Sequence, residues 1–124
     1  MEPMIIAATD ETPAVDLNPG TNTFSISGKS LPEDVTSFYD PILDWLEQYG
    51  QSPNDATDFT FQMDYFNTAS SKMILDILMK LEEIMEDGNT VKVIWKYRED
   101  DEDMEEAGEE YADIVEIPFE QVAY

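Results

Sequence analysis

Three hydroxyls, those of Thr68, Ser70 and Ser71, fall within four residues of this chain, between Asn67 and Lys72. At a helix start such side chains have two uses. An oxygen can accept a hydrogen bond from a free backbone N–H and cap the helix. Alternatively, a hydroxyl can accept a phosphate, whose negative charge suits the positive end of the helix dipole. The two uses are compatible. Capping is the ordinary use of such residues, but it needs one oxygen and three hydroxyls are present, which raises the second use without choosing among Thr68, Ser70 and Ser71.

Little else in the chain could carry covalent chemistry. It contains neither cysteine nor histidine, so disulfides, thiolate chemistry, the usual zinc and copper sites and the Ser-His-Asp and Cys-His arrangements are excluded. Hydrolysis would need paired carboxylates. Asp64 lies in a strand pattern and Asp76 in mid-helix, where Lys72 and Lys80 flank it at four-residue steps, so the two read as structural. The acidic run EDDEDMEEAGEE, which begins at Glu99, lacks the sixth-position glycine of an EF-hand loop and reads as a solvated helix face. Trp45 and Trp95 sit on apolar stripes and are expected in the core. No cofactor and no metal is indicated, and the chain is expected not to be an enzyme.

Composition narrows the partners. The chain has 124 residues, 42% of them hydrophobic, with 29 acidic against 6 basic side chains and a formal net charge of -23. This is a globular composition of single-domain size, expected to span residues 1–124. The charge repels nucleic acid and anionic membranes and favours basic protein surfaces, with an attraction that weakens in salt. No apolar run approaches the roughly 18 residues of a membrane span. The start, MEPMIIAATDE, has no basic n-region, so the cytoplasm is the expected compartment.

The elements that must position Asn67 to Lys72 are a strand before it and a helix after it. Phe59, Phe61, Met63 and Tyr65 alternate with Thr60, Gln62 and Asp64, as in a strand with one buried face. Ile74, Ile77, Leu78, Leu81, Ile84 and Met85 follow helical spacing up to Gly88. Upstream, Met4 to Ala7 is a short apolar run, either an edge strand or a tail. Ala14 to Leu17 and Thr23 to Ser27 form a hairpin through Asn18-Pro19-Gly20. Ser30 and Glu33 have capping-box spacing before a helix running from Val35 to Tyr49, with Pro41 expected to kink it or to open a second start capped by Asp40. Gly50 ends that helix and Gln51 to Thr57 is a linker. Downstream come a strand from Val91 to Tyr97, a short helix through Met104, Ala107, Gly108 and Tyr111, and a last strand from Ile114 to Ile117, closed by Pro118. Strands separated by helices predict an α/β fold with right-handed crossovers, a mostly parallel sheet and an antiparallel edge from the hairpin.

Four segments then carry a resemblance: TPAVDL, ISGKSLPEDVTSFYDPILDWLEQY, DYFNTASSKMILDILMKLEEI and VIWKYREDDEDMEEAGEEY. In this order and spacing the chain resembles the SiaC family of bacterial regulatory phosphoproteins. The resemblance implies a STAS-like single domain similar to anti-anti-sigma factors, acting as a switch that a Ser/Thr protein kinase phosphorylates and a PP2C-type phosphatase resets. The family's acceptor is the threonine of an Asn-Thr-x-Ser-x-Lys motif, matched here by Asn67, Thr68, Ser70 and Lys72. The resemblance therefore implies Thr68 as the phosphorylation site, with Ser70 or Ser71 as the alternatives. It also implies that Tyr65, Asn67, Ala69, Ser70, Ser71 and Lys72 form a surface for an effector such as a diguanylate cyclase. A different reading is an acidic protein-interaction module without a phosphoswitch.

Overall fold

The computed structural model describes residues 1–124. Its strands are β1 (Met4–Ile6), β2 (Ala14–Asn18), β3 (Thr23–Ser30), β4 (Ala56–Phe66), β5 (Thr90–Tyr97) and β6 (Phe119–Ala123), and its helices are α1 (Val35–Tyr49), α2 (Thr68–Glu86) and α3 (Glu102–Ile114). All six strands form one sheet in sequential order. The β1–β2 and β2–β3 pairs are antiparallel, while β3–β4, β4–β5 and β5–β6 are parallel, each joined by one helix. The mostly parallel sheet with a hairpin at one edge is thus the observed architecture, and the apolar run near the N-terminus is the edge strand.

One face of the sheet is covered. Val15, Leu17, Phe24, Ile26, Phe59, Phe61, Met63, Val91, Val93 and Trp95 are buried on it. Their alternating neighbours Ser25, Ser27, Thr60, Gln62 and Ile94 are only partly covered on the other face. Helix α2 lies between the other two, tied to α1 by the Lys80–Glu47 ion pair and to α3 by the Tyr111 hydroxyl. Its Met73, Ile74, Ile77, Leu78, Leu81 and Ile84 are buried, as their helical spacing requires. Each such side chain removed from water contributes about 1.5–3 kcal/mol, so apolar burial rather than helix propensity holds α2 on the sheet.

Four local readings differ from the structure. Tyr65 is not on the buried face: β3 Gly28 pairs with Met63 but the next residue, Lys29, pairs with Tyr65, so Asp64 is an extra residue in β4. Such a bulge reverses the alternation. Tyr65 becomes 54% exposed and Phe66 turns inward, with its ring centroid 6.3 Å from that of Trp95. Gly28, opposite the bulge, has φ of 109°, which a side chain there would strain.

Ser30 does not cap α1. It ends β3, fully buried, and Asp34 is the cap instead, its carboxylate accepting from the Ser37 amide at 3.1 Å. Pro41 does not start a second helix capped by Asp40, since one helix runs from Val35 to Tyr49 with Pro41 inside it. Tyr39, Ile42, Trp45, Leu46 and Tyr49 are buried along this helix. Their packing outweighs the missing amide donor. Finally, Ile114 ends α3 and Val115 and Ile117 are buried in the connection, while the last strand begins after Pro118. Proline lacks the N–H of a ladder but keeps its carbonyl, and the Val93 amide donates to the Pro118 oxygen at 2.9 Å.

Candidate functional site

The candidate site is the β4–α2 junction, where Phe66 ends the strand and Thr68 opens the helix. Asn67 has extended backbone geometry and its side-chain oxygen accepts from the Ser70 amide at 2.9 Å. Asn67 is therefore the cap, and none of the three hydroxyls is used for capping. The Asn67 amide donates to the Ser30 carbonyl at 3.1 Å, and the Ser71 amide donates to the Asn67 carbonyl at 2.9 Å. Those bonds fix where the helix begins. The amides of Thr68 and Ala69 occupy the first helical positions, where no carbonyl of the helix can reach them.

The three hydroxyls have different surroundings. Ser70 is fully buried, and its hydroxyl donates to the Ser30 carbonyl at 3.0 Å while accepting from the Ser30 hydroxyl at 2.9 Å. Ser71 is half-buried, its hydroxyl donating to the Thr68 carbonyl at 2.7 Å. Thr68 is exposed, and the bonds that occupy Ser70 and Ser71 leave its hydroxyl to solvent.

Of the expected partner-contact residues, Tyr65, Ala69 and Lys72 are exposed, Asn67 and Ser71 are partly covered, and Ser70 lies inside the protein. Ser70 has no exposed surface, because helical spacing turns it inward onto Ser30 of β3. Lys72 lies one turn beyond Thr68 on the same helix side. No ion pair engages it, the pairs being Lys80 with Glu47 and Glu83, Lys92 with Glu120, and Arg98 with Asp64 at 3.1 Å. Neither Asp64 nor Asp76 meets the other across the site: Asp64 sits on the β4 bulge facing Arg98, and Asp76 lies two turns into α2.

Two supports were not visible in the pattern of residues. Tyr39 of α1 is buried and hydrogen bonds to the Ser30 hydroxyl. Burial raises its pKa. Tyr111 of α3 is 7% exposed and donates to the Ser71 carbonyl at 2.7 Å, and its pKa is raised mainly by burial. Helical spacing marks both as inward-facing, but their hydroxyl partners lie on other elements. No three acidic side chains converge as a metal site. The depression between the C-terminal ends of α1 and α2, about 530 Å³, is lined by Glu47, Lys80, Glu83 and Asp87 and lies at the far end of α2 from Thr68. No helix is long and apolar enough to cross a membrane.

The sequence profile of the SiaC family of regulatory phosphoproteins matches residues 6–124. The chain belongs to the SiaC family. Two solved structures and one relative in sequence frame that membership. SiaC of Pseudomonas aeruginosa superposes with a TM-score of 0.91 at 28% identity, covering 100% of both chains. The crystal structure of the diguanylate cyclase SiaD in complex with its activator SiaC, from the same organism, contains a chain with a TM-score of 0.91 and 29% identity, covering 98% of this chain and 99% of that one. An uncharacterized protein of P. aeruginosa strain UCBPP-PA14 is 29% identical over 119 residues, which is 96% of this chain and 94% of that protein. The SiaC fold therefore spans the whole length, including the β4–α2 junction.

Proposed function

We propose that this chain is a non-enzymatic switch controlled by phosphorylation of Thr68, with a Ser/Thr protein kinase adding the phosphate and a PP2C-type phosphatase removing it. In the unmodified state the surface of Tyr65, Asn67, Ala69, Ser71 and Lys72 binds an effector such as a diguanylate cyclase. The observation that carries this reading is the contrast among the hydroxyls: only that of Thr68 is both exposed and without a partner in the protein. A phosphate there would lie beside the free amides at the start of α2 and one turn from the Lys72 ammonium, so the helix tolerates it. A docked partner would instead face added charge and a group it must desolvate. Family membership supports the same reading, and so does the solved complex of a SiaC relative with a diguanylate cyclase.

The test is phosphate mapping. The chain is incubated with ATP and its cognate kinase, and peptides spanning residues 65–72 are analysed by mass spectrometry. The expected result is one phosphate on Thr68 and none on the Thr68→Ala variant. Equal labelling of that variant would overturn the assignment.

A further inference from the structure

Every proton in the buried hydroxyl group beneath Asn67 can be assigned. The Ser70 hydroxyl donates to the Ser30 carbonyl, and the Ser30 hydroxyl donates to the Ser70 oxygen. Ser30 has then spent its single proton, so the Tyr39 hydroxyl must be the donor in their shared bond. The chain runs from Tyr39 to the Ser30 hydroxyl, then to Ser70, and ends on the Ser30 carbonyl, which also accepts from the Asn67 amide. No buried side-chain oxygen or nitrogen is left without a partner.

We infer that Ser30 and Tyr39 are positioning residues that determine which hydroxyl of the β4–α2 junction can be modified. This inference rests on the phosphoswitch reading. To serve as acceptor, Ser70 would have to break two hydrogen bonds and leave a site where it has no exposed surface. Exposing it also leaves the buried Ser30 hydroxyl without its acceptor, which opposes the movement further. The same bonds hold the Ser30 carbonyl on the Asn67 amide, so the start of α2 cannot slide by a residue and bring Ser70 or Ser71 to the position of Thr68. Selection of Thr68 is thus built into the fold rather than left to the kinase alone.

The experiment compares wild type, Ser30→Ala, Tyr39→Phe and the double variant, using a Ser/Thr kinase that labels the wild-type chain and reading phosphate on Thr68, Ser70 and Ser71 separately by mass spectrometry. Ser30→Ala is expected to lower the melting temperature, speed amide exchange at Ser70 and Ser71 about tenfold, and move a measurable share of phosphate to Ser70 or Ser71. Tyr39→Phe is expected to do the same to a smaller degree. The double variant removes both buried partners together, which relieves the unpaired group and regains stability. It must nevertheless keep the relaxed labelling. If labelling returns to Thr68 alone when stability returns, or if Ser30→Ala still labels only Thr68, the positioning role is overturned. Failure of the wild type to be labelled on Thr68 would instead defeat the switch reading, and it is read in a separate sample.

Discussion

The hydroxyl of Tyr111, on α3, donates to the backbone carbonyl of Ser71, on α2, at 2.7 Å, so the first turn of the central helix is held from the side opposite Tyr39. Replacing Tyr111 by Phe keeps the ring against Trp95, whose centroid is 5.5 Å away, and removes only the bond. The expected cost is about 1 kcal/mol, seen as a fall of about 3–6 °C in the calorimetric melting temperature.

The same tyrosines predict an alkaline limit. Tyr111 and Tyr39 both have raised pKa values, chiefly through burial. Above about pH 10 an unfolded tyrosine loses its proton while these two keep theirs in the folded state. The unfolded chain then binds fewer protons, so stability is complete below that pH and declines as pH rises beyond it. Melting curves between about pH 8 and pH 11 should show this decline, with a shallower slope for Tyr111→Phe. An unchanged slope would mean that Tyr111 titrates normally.

Gly108 of α3 is required by Trp95. A Cβ at this position would lie 2.4 Å from the Trp95 Cδ1 and 2.7 Å from its Nε1. The indole cannot easily yield, because it is fully buried and its Nε1 donates to the Met104 carbonyl at 2.9 Å. Gly108→Ala should therefore cost about 3 kcal/mol, at the upper end of overpacking effects, measured by urea denaturation.

Asn67 carries the cap, so Asn67→Ala should destabilise by about 1 kcal/mol, whereas Asn67→Asp should stay close to wild type. Thermal melts of the two variants decide it. Equal losses would show that the capping bond from the Ser70 amide contributes little.

Effector binding should separate charge from shape at Thr68. Thr68→Ala is expected to bind a cognate effector as wild type does, while Thr68→Glu weakens binding at least about tenfold through repulsion and desolvation. Tyr65→Ala, which removes an exposed ring without disturbing the core, should weaken it as well. Titration calorimetry provides the measurement, and indifference to Thr68→Glu would favour the interaction module without a switch.

Periodicity made most of this molecule readable. The helical stripe of α2 and the alternation in β4 and β5 depend on neighbours a few residues apart, so burial could be inferred from spacing, and the order of elements led to the mostly parallel sheet. Boundaries set by distant contacts were not readable. The bulge at Asp64 arises from pairing with β3, so Tyr65 looked buried and was found exposed. The strand placed at Ile114 to Ile117 began instead after Pro118, where pairing with β5 was available.

By itself, the sequence determined a strand, a helix and a group of hydroxyls at their junction, together with a negative charge that favours basic partners over anionic ones. Residue type and local spacing describe Thr68, Ser70 and Ser71 alike, and only the resemblance to the SiaC family pointed to Thr68 among them. Tertiary structure gave the three hydroxyls different surroundings by bringing Ser30, itself bonded to Tyr39, beneath the helix start, where it engages Ser70, and Tyr111 beside it, where it holds the Ser71 carbonyl. Hydrogen bonding at a buried hydroxyl depends on which groups meet it across the fold, and those groups lie up to 40 residues away in the chain.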